Sequence, residues 1–292
     1  MSDVDSVAAQ CKATDTGCSC GCKSNPSQAP AGYDASLVYA LGRIDPRFPS
    51  IGVEREYREA ARKMDTKDLT DRQVFSAVLS KRENRYLIRQ ICWVFLVESV
   101  ETYVIYPRDP SESQDLVEAL QGNPFGEDID LLVGLRKGFS TPSLCGGLAV
   151  PVVRFEQLYT FTRPELTEEM LGKDSSVPAN QEQKTAILNE VLQKVLQLAD
   201  NAGNTDSHRA LNFLAARYQP LYRKVAEMYG RDFSFASIDV RESRLSGSRK
   251  VVEVIVLFRN RVNDVAERYL IRVDVTELFP FTTTSLTPFV DY

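Results

Sequence analysis

The sequence predicts an α+β fold, with a mixed α/β N-terminal subdomain followed by a helical hairpin packed on a three-stranded antiparallel meander. Three observations predict it. Stretches rich in β-branched and aromatic residues, punctuated by prolines, run through the first half of the chain. From about Pro178 the apolar residues recur at helical spacing, through Leu188, Val191, Leu192, Val195 and Leu196. After Tyr229 the apolar period drops back to two, as in a half-buried sheet.

Each element has a local reason. Ser36 to Ile44 reads as a strand that the Asp45-Pro46 and Phe48-Pro49 turns break. Ser50 is placed to cap a helix running to about Met64, and Thr70 or Asp71 a second one to about Arg82. Trp93 to Tyr106, Ile129 to Leu135 and Leu148 to Phe155 read as strands. An amphipathic helix follows through Leu188 to Ala199, a turn over Asn201 to Asp206, and a second helical stretch from Leu211 to Val225. Pro220 kinks or breaks that stretch, because it removes a backbone donor and crowds the preceding turn. Ala236, Ile238 and Val240 alternate with polar residues. Val251 to Phe258 is apolar on both faces except at Glu253, which suits a middle strand. Val265 to Val275 alternates again, with the turns Ser246 to Ser248 and Val262 to Asp264 joining the three. Domain expectations are a disordered, Cys-rich tail or linker at 1–32, a subdomain at 33–176 and another at 177–292.

Composition excludes some function classes. At 292 residues the chain has ample material for a core, and its net charge of −5 with intermixed signs lacks the basic stripe of a nucleic-acid binder. No apolar run approaches the ~20 residues of a membrane span. The acidic start MSDVDS is unlike a signal peptide, so cytoplasmic residence is the expectation, and structural disulfides are not expected.

Two constellations suit a metal. Cys11, Cys18, Cys20 and Cys22 crowd the tail, and four thiolates match tetrahedral zinc, although single-residue spacing is not the usual knuckle. A bland reading is a solvated tail of thiols; the run TGCSCGC also resembles the Cys/Ser/Thr-rich cores that azoline-forming pathways modify. In the folded part, Cys145, His208 and then Cys92 are the candidate ligands of one structural zinc, against the alternative of two small core cysteines and a helix-start histidine. With one histidine, any Ser-His or Cys-His dyad must use His208. No P-loop or GxGxxG is present.

Cations at strand ends are the remaining signal. Arg43 and Arg47 flank a proline turn, Arg108 ends a strand at YPRDP, and Arg136 with Lys137 ends another at GLRKG. Loops at strand ends are where binding groups concentrate. Arg47, Arg108, Arg136 and Lys137, with Tyr103 and Tyr106 alongside, are therefore candidate contacts for an acidic linear peptide; ordinary surface ion pairing is the plainer reading.

Five dense blocks carry a family resemblance: Val38 to Tyr57 (VYALGRIDPRFPSIGVEREY), Arg85 to Pro110, Leu131 to Phe161, Leu198 to Tyr218 (LADNAGNTDSHRALNFLAARY) and Arg244 to Phe281. In this order they resemble the C-terminal domain, of unknown function, of the cyanobactin maturation proteases of the PatA and PatG type, over roughly Tyr33 to Tyr292. The resemblance implies a place in the maturation of ribosomally made cyclic peptides, as a non-enzymatic accessory or recognition module. Its partners would be a precursor peptide or peptide-processing enzymes. The chain lacks the subtilisin-like protease region of the larger proteins. Two other function classes stay open: an uncharacterised, zinc-dependent enzyme using His208, and a scaffold, such as a homodimer, that brings processing enzymes together.

Overall fold

The computed structural model describes residues 36–121, 128–141, 144–172, 180–196, 201–244 and 247–290. Two sheets with helices between and around them give the α+β class that the sequence predicts. Ala35–Tyr292 forms one compact unit.

The first sheet closes on itself. Strands β1 (Leu37–Arg47), β2 (Cys92–Val97), β3 (Val100–Pro107), β4 (Ile129–Phe139) and β5 (Pro151–Phe161) form a barrel in the order β1-β2-β3-β5-β4, and β4 returns to β1. All pairs are antiparallel except β3–β5. Alternation along β3 sends Tyr103 and Ile105 into the barrel interior, while Val104 and Tyr106 face outward.

Helices α1 (Ile51–Arg62), α2 (Asp71–Leu79), α3 (Arg85–Gln90) and α4 (Ser113–Glu118) pack with that interior, through Tyr57, Val78, Leu79, Leu87, Leu116 and Val117. Ser50 caps α1, as read from the sequence, and of the two candidates Thr70 and Asp71 it is Thr70 that caps α2, in a reciprocal capping box with Gln73.

Strand β1 runs through Pro46, where the sequence suggested a break. Pro46 lies opposite Trp93 of β2, and pairing of β1 with β4 has already ended at Gly42. One edge of the strand is therefore unclaimed at Pro46, which is where a residue without an N–H is tolerated.

The second half forms two further layers. Helices α5 (Arg163–Leu171), α6 (Gln181–Leu196), α7 (Asp206–Arg217) and α8 (Gln219–Tyr229) lie between the barrel and the second sheet. That sheet holds β6 (Phe233–Glu242), β7 (Val251–Asn260) and β8 (Ala266–Asp274) as an antiparallel meander with β7 in the middle, and β9 (Phe281–Thr282) and β10 (Thr287–Pro288) add short pairings to β8. The expected helical stretch divides at Tyr218, and Pro220 sits in the first turn of α8, where its missing donor costs nothing.

One core joins these layers. Tyr39 and Leu41 of β1 and Leu131 and Val133 of β4 pack on Leu188, Val191 and Leu211. On the far side, Val254, Val256, Phe258 and Ile271 close over the helices. Glu253 faces outward, held by Arg241 Nε at 2.9 Å, Arg272 Nε at 2.9 Å and Ser243 Oγ at 3.1 Å.

The tail expected at 1–32, including Cys11, Cys18, Cys20 and Cys22, lies outside the described residues. So do most of the boundary expected at 176 to 180, the helix end at Ala199 and Ser246 of the β6–β7 turn. Among the described residues no helix is long and apolar enough to cross a membrane.

Candidate functional site: a cleft at the barrel mouth

A cleft of about 540 Å³ opens where the barrel meets α6. Its floor is apolar, from Leu41, Leu96, Ile129, Leu192 and Leu196. Its polar groups are Arg43, Glu98, Ser99, Asp128, Arg163, Asn189 and Gln193. Five stretches of chain bring these together: mid-β1, the β2–β3 turn, the start of β4, the first residue of α5 and one face of α6.

The backbone is tightly specified here. Val97 pairs with Val100, so Glu98 and Ser99 form a two-residue hairpin tip. Both have positive φ, 49° and 69°, as that turn geometry demands. Neither is glycine or asparagine, so the tip holds a conformation that L-residues adopt at a cost of order 1–3 kcal/mol each. At Gly42 a Cβ would overlap the Leu96 carbonyl oxygen and the Phe95 ring, so only glycine lets β1 and β2 approach this closely. On the helical wall, Arg163 Nη1 donates to Asn189 Oδ1, which ties the start of α5 to α6.

Beneath the cleft lies a buried carboxylate. Asp130, opposite Gly42 in the β1–β4 register, is wholly inaccessible to solvent. Its Oδ2 accepts the Ile44 N–H at 2.7 Å and its Oδ1 the Thr160 hydroxyl at 2.6 Å. Arg72 Nη2 stands 3.7 Å away, while Arg72 also donates to the Ile44 and Ala119 carbonyls. Burial pushes the Asp130 carboxyl above its ordinary pKa; the Arg72 charge and the two hydrogen bonds oppose this and do not cancel it.

A second cleft of about 370 Å³ lies on the other side of the hairpin tip, lined by Val97 to Tyr103 except Ser99, and by Ala149 to Pro151, Asn201, Ala202 and Asn204. Glu98 borders both clefts.

The residues singled out from the sequence fall in several places. Tyr103 is 1% exposed, lines the second cleft from within the barrel and donates its hydroxyl to Ala202 O at 2.8 Å; it is not the flat surface contact expected. Burial raises its phenol pKa, and nearby Arg136 opposes that rise. Tyr106 is half-buried on the outer face of β3, opposite Arg154 of β5. Arg47 is bonded to Asp45 at 2.9 Å and to Glu101, and Arg108 to Glu156 at 2.8 Å, so each meets a carboxylate of its own chain. Lys137 is exposed and Arg136 half-exposed near the end of β4.

The cysteines correct an expectation. Cys92 and Cys145 form a disulfide, with Cα atoms 5.5 Å apart, where no structural disulfide was expected. The β4–β5 connection folds back over β2 and sets residues 53 apart in sequence side by side. Sulfurs joined in this way are not thiolate ligands. His208 sits in the first turn of α7, its N–H bonded to Thr205 Oγ1 at 3.1 Å, and α7 packs on β1 and β7. Among the described residues no group of three or more His, Cys, Asp or Glu side chains is arranged to hold a metal ion.

Arg43 was the one cleft cation visible from sequence. Glu98, Ser99, Asp128, Arg163, Asn189 and Gln193 were not. The Thr162-Arg163-Pro164-Glu165 run is a capping box with proline, a helix-start signal that places Arg163 at an N-terminus. The Glu98-Ser99 turn carries no such signal.

The fold and cleft define an α+β module, a closed barrel and an antiparallel sheet enclosing a helical layer, with a cavity at the barrel mouth. Residues 178–289 match the model of the family described as PatG C-terminal. A solved structure described as "PatG Domain of Unknown Function" shares the fold, with a TM-score of 0.68 and 20% identity over 87% of this chain and 99% of that one. No curated protein matches the chain at a significant level.

Proposed function

We propose that the chain is a recognition module of cyanobactin-type peptide maturation, and that its barrel-mouth cleft holds a segment of a ribosomally made precursor peptide. The family match over residues 178–289 and the shared fold support this reading. The observation that carries the peptide reading is the cleft lining. Two guanidiniums (Arg43 and Arg163), two carboxylates (Glu98 and Asp128) and two amides (Asn189 and Gln193) surround an apolar floor. An apolar floor with a few convergent polar groups is the general form of a ligand site, and about 540 Å³ falls in the usual range. The mixture of signs and amide groups matches a peptide, whose backbone both donates and accepts and whose side chains carry both charges. The strand-end cations contribute less, since Arg47 and Arg108 already face Asp45, Glu101 and Glu156.

The test is a titration of fluorescent precursor peptide into the wild type, an Arg43→Ala/Arg163→Ala variant and an Arg108→Ala/Arg136→Ala variant, at two salt concentrations. The cleft variant should bind at least tenfold more weakly at both. The strand-end variant should differ mainly at low salt, because exposed charges are screened over ~8 Å at physiological ionic strength. Equal affinity of all three proteins in every condition refutes the cleft.

A further inference from the structure

The β4–β5 connection is built as a strap. Between Leu144 and Val150 it lies on the outward face of β2, β3 and β5, where Cys92, Val94 and Val104 are buried with Cys145, Leu148 and Val150 of the strap and Val152 of β5, and Tyr106 is at the edge. Two fastenings hold it. At its base Ser140 bonds Val150 O through its N–H at 2.8 Å and Leu148 O through its hydroxyl at 2.7 Å, and its Oγ accepts the Val150 N–H at 3.0 Å. At its far end the fastening is the Cys92–Cys145 disulfide. Gly146 and Gly147, both at positive φ, reverse the chain immediately beyond Cys145. Ala149, Val150 and Pro151, at the strap's return, form a wall of the second cleft.

The two sulfurs are unequally placed. Cys92 is 2% exposed beneath the strap, whereas Cys145 is partly open to solvent. We propose that Cys92–Cys145 is a thiol–disulfide exchange site whose reduction by a dithiol releases the strap from the β2–β3–β5 face and loosens the wall of the second cleft. The thiolate of the reductant attacks Sγ of Cys145, the accessible sulfur. The S–S bond breaks and Cys92 leaves as a thiolate that takes up a proton. The reductant's second thiol then attacks its own sulfur in the mixed disulfide, releasing Cys145 as a thiol. Two electrons pass to the cysteine pair, and the dithiol is left as its disulfide. Because Ser140 still clamps the base, release is confined to the strap and the barrel stays closed.

The experiment uses the full chain, oxidised or equilibrated with dithiothreitol without denaturant. Differential alkylation with peptide mapping assigns the state of Cys92 and Cys145 separately from the four tail cysteines, and hydrogen exchange follows the amides. A Cys145→Ser variant, which alters the exposed partner and leaves Cys92 in place, reports the open state without reductant. The expected result is a Cys92–Cys145 link that dithiothreitol reduces in the native protein. Amides of residues 144–149 should then exchange at least tenfold faster, in the reduced protein and in Cys145→Ser alike, with Val150, which Ser140 holds, and Leu131 to Val133 unchanged. A pair found as free thiols without reductant, reducible only in denaturant, or reduced with no change at 144–149 overturns the proposal.

Discussion

Removing the Asp130 side chain should be among the most damaging single changes in the barrel, and its cost follows from its partners. Asp130→Ala leaves the Ile44 N–H and the Thr160 hydroxyl without their acceptor, and Arg72, whose side chain is 16% exposed, without its counter-charge. Breaking a buried pair from one side costs about 3–5 kcal/mol. Asp130→Asn keeps an oxygen for Ile44, and Arg72 retains the Ile44 and Ala119 carbonyls, so about 1–2 kcal/mol is expected. With a urea m-value of about 3 kcal/mol/M, the alanine variant should unfold about 1–1.7 M earlier.

The pH dependence has a definite sign. Burial raises the folded-state pKa of Asp130, so the native protein holds this proton more tightly than the unfolded chain does. The resulting stabilisation is fully present below the ordinary carboxylate pKa and is lost as pH rises through the raised value. Asparagine does not titrate, so the wild type's advantage over Asp130→Asn should shrink with rising pH across that window. Urea unfolding of the three proteins between pH 4 and pH 8 measures both effects. A cost below about 1 kcal/mol for alanine, or an advantage that grows with pH, refutes this account of the barrel floor.

The outward ion cluster on the second sheet should titrate in the opposite sense. Burial alone would raise the Glu253 carboxyl, but hydrogen bonds from Arg272, Arg241 and Ser243 outweigh it and lower the pKa. Its stabilisation should be present above the ordinary Glu pKa and disappear as pH falls through the depressed value; in thermal melts between pH 3 and pH 6 the wild type should lose more stability on acidification than Glu253→Gln. Gly42→Ala places a Cβ against the Leu96 carbonyl and the Phe95 ring, and overpacking of this kind costs about 1–3 kcal/mol. Chemical denaturation of that variant should show the loss, and an unchanged midpoint would mean that β1 and β2 are free to separate there.

Periodicity and capping made much of the fold legible. The caps at Ser50 and Thr70, the apolar stripe of α6 and the middle position of β7 are local signals, and the structure places each as read. The closed barrel was not legible. Its closure depends on the β1–β4 pairing and the parallel β3–β5 pairing, contacts between distant segments that leave no periodic trace. The Glu98-Ser99 tip was hidden because its positive φ values fall on residues that carry no turn signal. The dense block from Leu198 to Tyr218 owes much of its character to architecture. Asn201 and Asn212 hydrogen-bond to each other, Asn212 and the Gly203 carbonyl hold the backbone carbonyl and N–H of Tyr39, and Arg209 is buried against the Val275 and Leu278 carbonyls. The cleft went unseen for a related reason: its polar groups come one or two at a time from five stretches of chain, so no motif joins them.

Hydrogen exchange of the full chain with and without a saturating precursor peptide tests the central claim most directly, because it reports where the peptide sits as well as whether it binds. The cleft account predicts slower exchange in the β2–β3 hairpin from Leu96 to Ser99 and along α6 from Asn189 to Leu196, the stretches that line the barrel mouth. No protection at saturating peptide, or protection confined to the strand ends at Tyr106 to Arg108 and Arg136 to Lys137, would contradict it.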